Sequence, residues 1–449
     1  MDVVRKRFGG DRMGVDRTSD KPGVAIVLPG GGARGAYEVG ALSVLLPKLE
    51  ERGESAEIIC GVSVGAINAA ALASWAHLPA REQAGRLLDI WHGLDRADIF
   101  TSLLSPRTPL RLAMGLAETL GVPGLRGRSL LDARPLHDNL PRWIDFDAIS
   151  ANIDSEVLQS VCAVATSLDG TAVGFVQGAD PAALRSASED IRYVGTTLEA
   201  EHVRASAAIP MLFPPVRIRS PKSAEGYYID GAARLNTPIK PALDLGASRV
   251  IVVGFEPLVA PRMRTKAPLR PQLSDIVANV LDGLLLDQVK YDMHRLAAIN
   301  TFFADTSAMG SVGPARAYRE SRGRRPYRRV SYAFVTPRRR RELGTLAEQV
   351  FARRYSGRSA LKGIDFALMG RVLGGANASR GELLSFLLFD HDYISGLIDL
   401  GRRDAKRWLA RHPGFWCADS AHDFDLDPLR AESEAEVARL DEWRTLQRR

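Results

Sequence analysis

Cysteine is scarce in this sequence of 449 residues. The three cysteines are Cys60, Cys162 and Cys417, which are far apart and odd in number, so they indicate neither a disulfide framework nor a zinc ligand set. We therefore expect a protein of a reducing compartment. A chain of this length can bury a large core without disulfides or metals.

The amino-terminal segment lacks the apolar run of a secretory signal. Residues 1–21 carry six basic and four acidic side chains and contain no apolar stretch of 7–15 residues. We predict a flexible segment over residues 1–21 and a cytoplasmic protein. Export without a leader is left open.

A stretch from Ile58 to Ala80 has no charged residue, yet it lacks the hydrophobicity of a membrane span. Alanine is its most frequent residue, and glycine, serine, asparagine and histidine interrupt it. A buried strand, a glycine-flanked turn and a packed helix account for this composition.

Positive charge is concentrated in one segment. The chain has 60 basic against 53 acidic residues, and residues 316–341 contain eleven arginines with a single acid, Glu320. Such a run suits an anionic lipid surface or nucleic acid. No nucleic-acid-binding motif accompanies it, so we expect peripheral contact with an anionic membrane and no nucleic acid partner.

Apolar runs alternate with helical spacing along the first half of the chain. The runs at 24–28, 58–60, 158–166, 171–177, 226–230 and 249–255 predict strands, and helices are predicted at 34–52, 196–208 and 273–299. The alternation predicts an α/β protein with a mostly parallel central sheet. Prolines, glycines and leucines at 98–128 indicate an insertion or lid. The apolar run at 383–389 predicts core packing.

The strongest chemical signal is the Gly-x-Ser-x-Gly sequence at residues 61–65. It lies between a short apolar strand and a helix-forming alanine run, the context in which a serine nucleophile stands on a sharp turn. The turn also places Ser63 at a helix amino terminus, where an oxyanion would be favoured. A tight turn with Ser63 as a helix cap is the structural alternative.

A glycine-rich loop precedes this motif. Residues 30–35 read Gly-Gly-Gly-Ala-Arg-Gly after a strand and before a helix, which also fits a dinucleotide-binding fingerprint. That fingerprint requires an acidic residue at the end of the second strand, where this chain has Cys60 and Gly61. The other use of such a loop is an oxyanion hole, in which the amides of Gly31 and Gly32 face a tetrahedral intermediate.

A third element is the strand ending in Asp230, followed by Gly231 and Ala232. If this strand belongs to the same sheet, Asp230 emerges at a carboxyl end, where open α/β sheets place their sites and where Ser63 is expected too.

These three blocks, in this order, resemble the patatin-like phospholipases. Residues 205–210 with 213–215 and residues 236–238 are also similar to that family, and the likeness extends over about residues 22–255. It implies a three-layer α/β/α catalytic domain at 22–255 and leaves 256–449 as a helix-rich extension.

The resemblance also implies site residues and a reaction. Ser63 would be the nucleophile, Asp230 the general base of a Ser–Asp dyad, and Gly31 and Gly32 the oxyanion hole, with no cofactor and no metal. The substrate would be a phospholipid or another acyl-ester lipid. Burial that raises the pKa of Asp230 would make it a better base. The remaining motif residues support these positions: Gly30, Arg34, Gly35, Gly61, Gly65, Gly231 and Ala232.

Several alternatives stay open at this point. A neutral-lipid lipase or general esterase would use the same dyad, and a lipid-binding protein or a nucleotide-dependent oxidoreductase would not. Arg34 would pair with a carboxylate or fix the glycine loop, or it would contact a lipid phosphate. A histidine could complete a triad, and the candidates follow Asp230 in the chain: His294, His391, His412 and His422.

Overall fold

The structure is a computed structural model. It describes residues 23–101, 131–180, 184, 191–210, 212–257, 293, 296, 300, 317, 321, 329–355 and 379–417. Several predictions lie outside these residues: the segment 1–21, the insertion from residue 102 onward, the helix at 273–299 apart from Met293 and Leu296, and most of the arginine-rich segment before residue 329.

The described residues form one nine-stranded sheet. Its strands are β1 (Val24–Leu28), β2 (Ile58–Val62), β3 (Ser160–Ser167), β4 (Ala172–Gln177), β5 (Ile191–Gly195), β6 (Val216–Ile218), β7 (Gly226–Asp230), β8 (Arg249–Val253) and β9 (Ser331–Val335). The order across the sheet is β5, β4, β3, β2, β1, β8, β9, and β7 pairs with β3 and β6. Each predicted strand is present within two residues of its predicted bounds.

Helices cover both faces of the sheet, which confirms the α/β prediction. They are α1 (Gly35–Glu50), α2 (Val64–Ser74), α3 (Ala80–Gly93), α4 (Arg96–Ile99), α5 (Arg134–Trp143), α6 (Phe146–Asp154), α7 (Ala200–Ser206), α8 (Ile239–Asp244), α9 (Glu342–Arg354), α10 (Ser379–Leu387) and α11 (His391–Arg411). Every residue of β1 and β2 is buried, as expected for central strands covered on both faces.

The sheet is mostly parallel, with one junction that matters for the site. Strands β1, β2, β3, β8 and β9 run parallel to one another, whereas β4 and β7 run antiparallel to β3. Val62 at the end of β2 lies opposite Val164 of β3, and Asp230 at the end of β7 lies opposite Ala165. The carboxyl ends of β2 and β7 therefore meet head-on along the same side of β3.

The carboxyl-terminal part of the chain packs against this frame. Strand β9 extends the sheet next to β8, and α11 lies against α1. The two helix backbones approach so closely that a Cβ atom on Gly40 would stand 2.1 Å from the carbonyl oxygen of Ile398, and one on Gly401 would stand 2.1 Å from that of Tyr37. Both glycines are therefore required by the helix crossing. The division at residue 255 stays a prediction.

The charge-free stretch from Ile58 to Ala80 folds as β2, a turn and α2, followed by the start of α3, as the composition predicts. None of the helices in the described part of the chain has the length and apolar character needed to cross a bilayer. The described residues of the apolar run, 384–389, are buried, which confirms their place in the core.

Candidate active site

Ser63 stands on a sharp turn between β2 and α2. Its backbone has φ 55° and ψ −124°, in the positive-φ range that costs free energy for any residue other than glycine. A Cβ on Gly61 would lie 2.2 Å from the carbonyl oxygen of Gly65, and one on Gly65 would lie 2.2 Å from that of Leu28. The flanking glycines are thus required because backbone passes directly beside them.

The serine hydroxyl bonds to a carboxylate. Ser63 Oγ donates to Asp230 Oδ2 at 2.6 Å, and Asp230 Oδ1 accepts from the Ala232 amide at 2.9 Å. Asp230 is only 1% exposed. The Ser63 side chain makes no capping bond to α2, so the structure does not show the helix-cap alternative.

Burial changes the acidity of Asp230. The loss of solvent raises the pKa of this carboxyl from 3.8 to about 7, while the hydrogen bonds from Ser63 and Ala232 act in the opposite direction. The rise makes Asp230 a stronger base than an exposed aspartate, as the sequence argument anticipated.

Hydrogen bonds to the backbone position Ser63 and Asp230. The Ser206 hydroxyl donates to the carbonyl of Val164 and accepts from the Ser63 amide, which lies 2.9 Å away. The Asp230 amide donates to the carbonyl of Ala208 at 2.8 Å. Ser206 therefore links α7, β3 and the serine turn.

The glycine loop lies against the serine. A Cβ on Gly30 would stand 3.1 Å from the Cβ of Ser63. The Gly30 amide is engaged by Asn236, through the backbone carbonyl at 3.2 Å and through Oδ1 at 3.0 Å. Within the part of the chain that the structure describes, the amides of Gly31 and Gly32 have no acceptor, so they could receive an oxyanion.

An apolar cleft opens above Ser63. Gly32 and Ser63 are part of its lining. Asn68 also reaches the wall, but its amide is bonded to Trp91 Nε1 at 2.9 Å and to Glu38 at 2.7 Å. The apolar lining includes Leu87, Trp91, Leu136, Phe213, Phe386 and Phe389. Such a surface fits a hydrocarbon chain.

Arg34 does not line this cleft. It is fully buried and forms an ion pair with Glu382 of α10. The sequence left open a structural role for Arg34 and a contact with a lipid phosphate. The observed ion pair matches the structural role, in which Arg34 pairs with a carboxylate.

Sequence reasoning anticipated some of this site and missed the rest. Residues 206 and 236 stood in segments noted only for likeness, and their hydrogen bonds could not be inferred. Glu382 carried no signal, because it lies outside every motif. Of the candidate histidines, His391 is exposed and His412 stacks on Trp408, and neither contacts the Ser63–Asp230 pair. His294 and His422 lie outside the described residues.

Comparison with known proteins supplies a family. Residues 26–243 match the sequence profile described as patatin-like phospholipase. No curated protein is similar enough to count as a sequence relative.

Three solved structures are similar at low identity. VipD from Legionella pneumophila is 13% identical, with a TM-score of 0.32 over 87% of this chain and 67% of its own. The type III effector ExoU is 16% identical, with a TM-score of 0.25 over 82% of this chain and 77% of its own. Full-length ExoU in complex with SpcU, from the type III secretion system of Pseudomonas aeruginosa, is 16% identical, with a TM-score of 0.24 over 86% and 77%.

Proposed function

Since residues 26–243 belong to the patatin-like phospholipase family, this chain is a lipid acyl hydrolase, and we propose that it cleaves fatty-acyl esters through Ser63 and Asp230. The observation that carries the proposal is the 2.6 Å hydrogen bond from Ser63 Oγ to Asp230 Oδ2 at the base of an apolar cleft. The substrate class proposed is a phospholipid, cleaved as by a phospholipase A or lysophospholipase.

The first step transfers the acyl group to the enzyme. Ser63 Oγ attacks the ester carbonyl while its proton passes to Asp230, because a free alkoxide is not accessible at neutral pH. The carbonyl oxygen becomes an oxyanion and accepts hydrogen bonds from the amides of Gly31 and Gly32. Each such donor contributes on the order of 10²–10³ in rate. Collapse expels the lysolipid or alcohol, which takes the proton from Asp230.

The second step releases the fatty acid. Water replaces the departed alcohol, Asp230 removes its proton, and the oxygen attacks the acyl-enzyme carbonyl. The same two amides stabilise the second oxyanion. The proton returns to Ser63 Oγ as the acid leaves, so one carboxylate serves both halves of the cycle.

The raised pKa of Asp230 supports this role. A base is most effective when its pKa is near the working pH. Relative to an exposed aspartate, the rise from 3.8 to about 7 brings the carboxylate closer to the basicity of an alkoxide by about 4 kcal/mol.

The deciding experiment compares product release by the wild-type protein and by Ser63→Ala. Each is incubated with a mixed lipid extract, and the products are identified by mass. We expect the wild type to release free fatty acid and lysophospholipid and Ser63→Ala to release neither. Asp230→Asn serves as the second test of the pair.

The outcomes separate the alternatives. Release from triacylglycerol but not from phospholipid would replace the phospholipase assignment by that of a neutral-lipid lipase, and cleavage of short soluble esters alone would indicate a general esterase. Turnover of lipid by Ser63→Ala at the wild-type rate would overturn the dyad. Lipid binding without turnover by the wild type would favour a binding protein, and binding of NAD(P) would favour the oxidoreductase.

We propose further that the enzyme is cytoplasmic and that it contacts anionic membranes through its arginine-rich segment, residues 316–341. Arg338, Arg339 and Arg340 are exposed at the described end of that segment. Binding to phosphatidylglycerol vesicles should fall with salt and on the change Arg338→Ala/Arg339→Ala. The control double variant removes two exposed arginines elsewhere, Arg81 and Arg134. Vesicle binding that ignores salt and lipid charge would contradict the proposal.

A further inference from the structure

Arg34, the cationic residue of the glycine loop, is bound by helix α10 in the carboxyl-terminal part of the chain. Arg34 Nη2 pairs with the Glu382 carboxylate and also donates to the Glu382 carbonyl at 3.2 Å. Arg34 Nε donates to Ser385 Oγ at 2.7 Å. The guanidinium carbon lies 4.1 Å from the centre of the Phe386 ring. Three neighbouring residues of α10 thus surround one side chain.

This contact is fully enclosed. The side chain of Arg34 is 0% exposed and that of Glu382 is 2% exposed. A buried guanidinium needs a nearby anion, because an uncompensated charge in the interior is strongly destabilising. It also lies at the amino-terminal end of α1, where the helix dipole disfavours a cation. Glu382 compensates both effects.

The same helix also contacts the loop backbone. Gly32 has φ +57°, and a Cβ there would stand 2.2 Å from the carbonyl oxygen of Phe386. The chain at Gly32 therefore rests directly on α10. One turn of that helix fixes the loop twice, through the Arg34 side chain and through the Gly32 backbone.

We propose that Glu382 is a positioning residue for the oxyanion hole. Through Arg34 it sets the place of the Gly31 and Gly32 amides relative to Ser63 Oγ, and Ser385 assists it by holding the guanidinium. This inference rests on the proposed function, because that function assigns the Gly31 and Gly32 amides to the oxyanion hole. It adds a residue of the carboxyl-terminal extension, 348 positions from Arg34, to the catalytic arrangement.

One consequence concerns the substrate. Arg34 Nε and Nη2 donate to residues of α10, and the whole side chain is buried, so it does not reach the cleft. The cation of the loop therefore acts on the loop and leaves recognition of a lipid phosphate to other groups.

The first test measures Ser63 reactivity in Glu382→Gln, which preserves side-chain volume. A fluorophosphonate reacts by forming a bond from Ser63 Oγ to phosphorus, with loss of fluoride and transfer of the serine proton to Asp230. The final amount of labelled protein counts competent sites, and the rate constant reports the reactivity of each site. We expect an unchanged amplitude and a rate constant about 10- to 100-fold lower, the effect of a misplacement of about 1 Å.

The matched control is Asp404→Asn. Asp404 is another buried carboxylate of the extension. It pairs with Arg403 and Arg407 and accepts from Tyr37 in α1, and none of these bonds involves residues 30–35 of the glycine loop. This variant should keep the wild-type rate constant even if its amplitude falls. An equal loss of rate constant in both variants, or a loss of amplitude alone in Glu382→Gln, would show that Glu382 only stabilises the fold and would overturn the inference.

A second readout does not depend on catalysis. The amides of Gly30, Arg34 and Gly35 are hydrogen-bonded in the loop, and their hydrogen exchange should be at least several-fold faster in Glu382→Gln than in the wild type or in Asp404→Asn. Unchanged exchange at these amides would refute the positioning role. A wild-type protein that neither reacts nor turns over lipid would refute the proposed function, while the exchange result would still decide the role of Glu382.

A double variant separates the loss of the ion pair from a loss of folding. Arg34→Met/Glu382→Leu replaces the ion pair by apolar side chains of similar size, a change that is often neutral for stability. We expect a folded protein with the same full amplitude and with a rate constant as low as that of Glu382→Gln. A folded double variant with the wild-type rate constant would show that the pair is not needed to place the loop.

Discussion

Replacing Asp230 by asparagine should make the protein more stable at alkaline pH while removing its activity. The ionised carboxylate is buried, and burial raises its pKa from 3.8 to about 7. Asparagine has the same shape, and its Oδ1 can still accept from the Ala232 amide. The change therefore removes a buried charge and leaves the packing intact.

The size of the effect follows from linkage between ionisation and folding. The native state resists ionisation of Asp230, so the stabilisation from this group is fully present below its unfolded pKa of about 4 and is lost as the pH rises through about 7. At pH 8 the ionised form costs the native state about 4 kcal/mol. Asp230→Asn should recover up to this amount at pH 8 and almost none at pH 4.

The assay is urea unfolding of both proteins at pH 5, 6, 7 and 8. Asp399→Asn, which removes an equally charged side chain from the exposed face of α11, is the control and should show no such trend. A difference between Asp230→Asn and the wild type that stays constant with pH would refute the reasoning. So would an asparagine variant that is less stable at pH 8.

Three other outcomes follow from the same geometry. The kcat/KM for ester hydrolysis should rise with pH and level off above an apparent pKa near 7, because the base must be ionised; a profile that falls over this range would contradict the role of Asp230. Ser206→Ala should lower kcat about 10-fold or more with little change in KM, since the bond that orients the Ser63 amide is lost; an unchanged kcat would show that the turn holds without it. Gly40→Ala should lower the free energy of unfolding by about 1–3 kcal/mol, because the new methyl group meets the Ile398 carbonyl; thermal or urea denaturation checks this, and wild-type stability would mean that the helices separate freely.

Several strands and the turn at Ser63 could be predicted from local patterns. Short apolar runs next to glycine indicated β1, β2 and β7, and the glycine spacing around Ser63 indicated the turn that the structure contains. These features depend on neighbouring residues only. A resemblance over three ordered motifs then linked Ser63 with Asp230, which no local pattern could do.

Long-range pairing could not be predicted. The carboxyl end of an antiparallel strand reaches the serine, whereas the sequence argument rested on a parallel sheet edge. The partner of Arg34 is 348 positions away, and a glutamate in a helix has the same local pattern whether it faces solvent or a buried arginine. The amino acid pattern showed that a cation at a helix amino terminus needs compensation, and it did not show where the compensation comes from.

Strand β3 positions both members of the hydrogen-bonded Ser63–Asp230 pair. Ser63 and Asp230 are 167 positions apart. Val62, directly before Ser63, pairs with Val164 of β3, and Asp230 pairs with the next residue, Ala165. A slip of one residue in either pairing would move one partner by about 3.3 Å and break the bond between them. The loops that join these strands can therefore vary in length, whereas the register of β2, β3 and β7 has to be kept for Ser63 and Asp230 to form their hydrogen bond.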